Sequence, residues 1–204
     1  MELNRDHRYT WSEVRAFDDE QRWELIDGYP YAMSSPLIVH QAVSVQLIAS
    51  LLPHFSGTPC RLLSAPMDLK LSEHDMVQPD LLVVCDPTQL KRTHVEGPPR
   101  LVIEILSRST GRHDRVRKLN LYATSGVEEY WMVTPHPPLI EVLKNVDGSF
   151  TFVGTFTEKH VLRSAVFPHL DLDLSKVFAN LPHQTPIEEV MEATPEYLAS
   201  LTSR

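Results

Sequence analysis

Asp80 and Glu104 are the residues on which this sequence most readily builds a reaction. Asp80 follows Gln78-Pro79 and opens the apolar run Leu81 to Cys85, and Glu104 is the single polar residue between Leu101 and Leu106. Short runs rich in Val, Ile and Leu and bounded by Pro or Gly read as buried strands. A carboxylate inside such a strand is costly unless it is paired, protonated or bound to a cation. Two of them on what are expected to be neighbouring strands suggest a site for a hard divalent metal, whose preferred ligands are oxygens. The ordinary alternatives are a turn aspartate at position 80 and a buried salt bridge from Glu104 to Arg61 or Lys70.

Beyond Glu104 the sequence turns basic. Arg108, Arg112, Arg115, Arg117 and Lys118 stand against the single acid Asp114. A positive patch beside a carboxylate site suits a phosphodiester substrate, although a solvated helix face has the same composition. Asp114, Lys118 and Tyr122 share one face of the expected helix. They form either an exposed i,i+4 pair or a face that folds back and presents Lys118 to an attacking water. Glu24 is a possible third carboxylate, and His40, at the start of the longest helix, is a minor candidate along with Asp114 and Tyr122.

These groups are carried by one domain spanning residues 1–204, with a core over about 10–178 and a helical tail over about 184–204. Composition is that of a globular protein, 42% apolar and 23% charged with 7 Gly and 16 Pro. The net charge of −8 excludes a generic polyanion binder. Cys60 and Cys85 form no CxxC pair and are expected as buried free thiols. No apolar leader opens the chain and no stretch is expected to reach the length of a membrane span, so a cytoplasmic protein is expected.

Thr10 to Glu13 is a capping box that starts a short helix. A hairpin turning at Gly28 follows, and then an amphipathic helix from Leu37 to Phe55. Strands are expected at about 61–71, 80–85, 101–106 and 128–134, with an exposed loop over 86–99 and a helix over about 113–124. Asp147-Gly148 marks a second hairpin between 139–144 and 149–154. A short helix near Leu174 and a last helix near 186–202 complete the chain. Interspersed strands and helices give an α/β class with a mixed sheet. HExxH, G-x-S-x-G, P-loop and dinucleotide-binding signatures are absent.

Pro79-Asp80 followed by Glu104-Ile105-Leu106 resembles the bipartite core of the PD-(D/E)XK nuclease superfamily. Further segments add to it. They are Glu24 to Gly28, Ser35-Pro36 with His40, Gln78 to Asp80, Leu101 to Ser107, Ser109-Thr110, Asp114 with Lys118, and Gly126 to Trp131. Together they are similar to the Uma-two family of restriction-endonuclease-like proteins, from about Thr10 to Phe178. The resemblance implies a restriction-endonuclease-like fold, a central mixed β-sheet flanked by α-helices. It also implies magnesium, or manganese in its place, on Asp80, Glu104 and the carbonyl of Ile105. The superfamily's lysine belongs at position 106, here Leu106, and Lys118 is its natural migrated substitute. Thr134 stands where the family usually has aspartate.

The expected protein is a metal-dependent endonuclease that hydrolyses DNA and forms a homodimer. Asp80, Glu104, Lys118 and Glu24 are its catalytic set, and Arg108, Arg112 and Arg115 hold the flanking phosphates. The alternative is a nuclease-like module that binds nucleic acid or protein without hydrolysis.

Overall fold

A computed structural model describes residues 3–4, 6–17, 20–106 and 112–182, with side chains in the third helix described from Val116. The first half of the chain runs α1 (Trp11–Arg15), β1 (Trp23–Ile26), β2 (Tyr29–Ala32), α2 (Ile38–Phe55), β3 (Arg61–Ser64), β4 (Asp68–Lys70), β5 (Met76–Val77) and β6 (Leu81–Val84). A 3-10 turn (Pro87–Gln89) leads to β7 (His94–Glu96), β8 (Leu101–Ile105), α3 (Arg112–Ser125) and β9 (Glu129–Thr134). β10 (Leu139–Val146), β11 (Ser149–Thr157), β12 (Val161–Arg163), β13 (Asp171–Asp173) and α4 (Leu174–Val177) follow.

The central sheet has six strands in the order β11-β10-β9-β8-β6-β3. It is mixed, because β8 and β9 run parallel and the other neighbours antiparallel. A parallel neighbour needs a crossover, and α3 supplies it. Alternation along each strand sends Leu81, Val83, Leu101, Ile103 and Ile105 to a core shared with α2 and α4. Leu82, Val84, Val102, Tyr130 and Met132 go to the opposite core, shared with α3. There a second sheet, ordered β2-β1-β5-β4-β7, contributes Ile26, Leu69, Val77 and Val95. Both faces of the central sheet are thus covered, which is why its strands read as continuous apolar runs rather than alternating ones.

Local signals act as expected at α1 and at the hairpins. The Thr10 side chain and the Glu13 side chain close a reciprocal capping box. Asp27-Gly28 and Asp147-Gly148 turn their hairpins with positive φ at both residues (51° and 76°, 51° and 80°), the geometry that favours Asp-Gly. In α2 the stripe Val39, Val43, Leu47, Leu51 and Phe55 is buried.

Four expectations are corrected. Cys60 and Cys85 are disulfide-bonded rather than free. β3 pairs antiparallel with β6, matching Arg61 to Val84, so the next pair outward is Cys60 opposite Cys85. α2 is, by length and composition, long enough to cross a membrane. Its buried stripe makes it a core helix of this fold. Residues 86–99 are not a plain loop, since β7 inserts beside β4 and buries Val95. The strand expected over 61–71 is two strands, β3 and β4, which join different sheets. The helix expected near 186–202 lies outside the described residues.

Candidate active site

The register of β6 and β8 sets the first two carboxylates. Leu81 pairs with Ile103, so the next position outward brings Asp80 opposite Glu104. The Asp80 Oδ2 accepts the main-chain N–H of Ile105 at 2.7 Å, which ties the aspartate to the end of β8. Its other oxygen, Oδ1, lies 3.1 Å from His40 Nε2 at the start of α2. His40 Nδ1 is buried without a hydrogen-bond partner. Glu104, two residues after Val102 on the same strand face, points toward α3.

α3 returns across that face with Lys118 and Tyr122 one turn apart. Lys118 Nζ lies 3.1 Å from Glu104 Oε1 and 2.8 Å from Glu24 Oε1. The Tyr122 hydroxyl donates to the same Glu104 oxygen at 2.7 Å. Glu24 comes from β1 in the second sheet and also accepts the main-chain N–H of Gln78 at 2.9 Å. Three elements distant in sequence therefore meet at one ammonium group. Only 4% of Glu24, 7% of Lys118 and 8% of Glu104 is exposed. Lys118 is accordingly not the exposed partner of an i,i+4 pair. The bridges considered for Glu104 do not form either. Arg61 donates to the carbonyls of Thr58 and Cys60, and Lys70 pairs with Glu73 and Glu96.

Burial pushes the Glu104 carboxyl up to about 7; Lys118 opposes the shift, Asp80 and Glu24 reinforce it, and the Tyr122 hydrogen bond opposes it. The Tyr122 phenol is raised well above its ordinary value, first by burial and then by the charges of Glu104 and Glu24. It therefore stays a donor at neutral pH. The cluster holds more carboxylate than Lys118 neutralises, the condition under which a further cation is favoured.

Among the described residues, no three His, Cys, Asp or Glu side chains are placed to hold one metal ion by themselves. The available donors are the Asp80 and Glu104 carboxylates and the Ile105 carbonyl. One or two carboxylates completed by water and substrate oxygens is an ordinary set for Mg2+, so the residues present fit a hard divalent cation.

Gln78 is a site residue that the sequence did not single out beyond its place before Pro79-Asp80. Its side-chain oxygen accepts from Arg22 at 2.8 Å and 3.1 Å, and its amide donates to Asp68 at 2.8 Å. The main-chain N–H of Gln78 thus reaches Glu24 from a residue fixed on both sides. Glu129 is a second buried carboxylate, and its role is structural. It accepts from Trp131 Nε1, Ser164 and the N–H of Ala165 at the far end of the sheet. Arg108 and the side chains of Arg112, Asp114 and Arg115 lie outside the described residues.

Comparison with known proteins places the chain in a family. Residues 8–175 match the model of the Uma2 family, described as "Putative restriction endonuclease". An uncharacterized protein of Synechocystis is 31% identical over 137 residues, covering 66% of this chain and 72% of that protein. A crystal structure from Anabaena variabilis, described as a putative nuclease belonging to DUF820, superposes with a TM-score of 0.70 at 16% identity. That likeness covers 85% of this chain and 99% of the other, and at such identity it shows the shared fold. By the family match over most of its length and by the shared fold, this chain belongs to the Uma2 family and has the restriction-endonuclease-like fold.

Proposed function

We propose that this protein is a metal-dependent endonuclease hydrolysing DNA phosphodiester bonds at Asp80, Glu104 and Lys118. The observation that carries the reading is the buried Lys118 ammonium set between Glu104 and Glu24, with Asp80 across the ladder. Nothing in the packing of a sheet requires three ionisable groups at this point, and burying them costs stability unless each is compensated. Such clusters occur where charge develops during a reaction.

Asp80, Glu104 and the Ile105 carbonyl would hold Mg2+, with Mn2+ as a substitute. The ion would supply polarisation of the scissile phosphate and acidification of a water. The chain's own groups do the positioning. Tyr122 fixes the rotamer of Glu104 through its hydrogen bond, and His40 and the Ile105 N–H fix Asp80. Lys118 supplies a cation to orient the attacking water or to balance the charge gathering on the phosphate. Glu24 holds Lys118 and could add a further carboxylate to the cation site. Lys118 reaches Glu104 from the crossover helix, which supports it as the counterpart of the lysine absent at Leu106. Arg108, Arg112 and Arg115 would hold flanking phosphates, so replacing them should lower the salt dependence of DNA binding.

The test is cleavage of plasmid and linear DNA in Mg2+ or Mn2+ by wild type, Lys118→Ala and Glu104→Gln. Wild type is expected to cut, and each variant to lose roughly 100- to 1000-fold in rate, as when one positioned group is removed from a preorganised site. Unchanged cleavage by Lys118→Ala would remove the lysine from the mechanism. Metal binding without cleavage of any nucleic acid would favour the non-hydrolytic binding module.

A further inference from the structure

A cleft of about 500 Å³ opens between the β1–β2 hairpin and α3, on the helix face next to the one that carries Lys118 and Tyr122. Ile26 and Leu121 give it an apolar floor. Tyr29 and Tyr31, two apart on one strand, line one wall, and Arg117 and Asn120 line the other. The carboxylates at its rim are already engaged. Asp27 pairs with Arg8, and Asp75 accepts from the Asp27 N–H and from Ser72.

The remaining polar groups are unspent. Among the described residues Arg117 enters no ion pair, and its guanidinium lies 4.7 Å over the Tyr31 ring. The Asn120 amide and the hydroxyls of Tyr29 and Tyr31 take part in no hydrogen bond within the described residues. What the cleft offers is therefore a flat cation on an aromatic face, two phenols, and one amide that both donates and accepts. A simple anion would use only Arg117, and an apolar ligand would leave the others without purpose. A planar heterocycle on a charged backbone uses all of them, since guanidinium planes and aromatic rings stack bases and amides read base edges. The volume is within the range of small-molecule pockets.

We propose that this cleft seats one unpaired nucleobase of a single-stranded segment, stacked on the Arg117–Tyr31 pair and contacted at its edge by Asn120. The assignment rests on the nuclease reading, because a strand passing the Glu104–Lys118 pair is what brings a neighbouring nucleotide to this face of α3. It goes beyond that reading by giving the preferred substrate an unpaired segment beside the cut.

The experiment is fluorescence anisotropy in EDTA, without turnover, using labelled single-stranded DNA, the same strand with one abasic position, and the matching duplex. Wild type should bind the intact single strand most tightly and lose affinity at a single placement of the abasic position. Tyr31→Ala should weaken intact-strand binding roughly 5- to 100-fold, as loss of one stacked base does, and should abolish the difference between intact and abasic strands. Asn120→Ala, at an exposed position that leaves the fold intact, should reduce the same difference. Arg117→Ala should also weaken intact-strand binding and reduce the intact–abasic difference, because the base loses the guanidinium on which it stacks. If wild type binds DNA but Tyr31→Ala and Asn120→Ala keep the intact–abasic difference, the cleft is not a base site while the nuclease reading stands. If wild type binds neither single strand nor duplex in EDTA, the base site falls, while the nuclease reading stands or falls on cleavage in Mg2+ or Mn2+.

Discussion

Lys118 is the residue on which the charge balance of the site turns. Its ammonium lies between two buried carboxylates, so Lys118→Met leaves both without their cation. Removing one partner of a buried ionic group costs about 3–5 kcal/mol, and at pH 8 urea denaturation should read a loss of that order. The loss should shrink toward pH 5, because Glu104 can then be neutral. The sign follows from its titration. The carboxyl moves from 4.5 to about 7 on folding, so the folded metal-free protein binds the proton more tightly than the unfolded chain. That contribution to stability is complete below about pH 4.5 and is lost as pH rises through about 7. Glu104→Gln should flatten this part of the profile in EDTA, and identical profiles for variant and wild type would show that Glu104 is not the group responsible.

At the scale of elements, the Cys60–Cys85 bond ties edge strand β3 to β6, the strand that Asp80 precedes. A cross-link over a separation of 25 residues constrains the unfolded chain by about 3–4 kcal/mol in the chain-entropy model. Dithiothreitol, or Cys60→Ser with Cys85→Ser, should lower the urea midpoint accordingly, and an unchanged midpoint would mean that the bridge adds nothing to stability. The capping box of α1, the buried stripe of α2 and both Asp-Gly hairpins were legible, because each is decided by residues within a turn or two. The disulfide depends on which strand pairs with β3 and in what register, and two lone cysteines carry no such information. β7 was missed for a similar reason, since one buried valine between polar neighbours becomes a strand only when β4 lies beside it.

At the scale of the whole molecule, Asp80 and Glu104 were legible because a charge in an apolar strand is conspicuous wherever the strand lies. Their partners were candidates that local sequence alone left balanced against ordinary alternatives. Glu24 reads equally as a third carboxylate or an exposed strand residue, and Lys118 as a site cation or one half of an exposed i,i+4 pair. Only packing the second sheet and α3 on the same face of the central sheet brings these residues to Glu104. Gln78 is hidden in the same way, since its contacts span 54 and 56 positions. If this convergence serves catalysis, it holds a divalent cation. Calorimetric titration of Mg2+ and Mn2+ into wild type and Glu104→Gln at pH 7.5 tests it most directly. Wild type should bind saturably, with proton release as the raised Glu104 carboxyl ionises, and the variant should not bind. Equal heats from the two proteins, or none from either, would make Glu104 a structural partner of Lys118 and Tyr122 and contradict the claim.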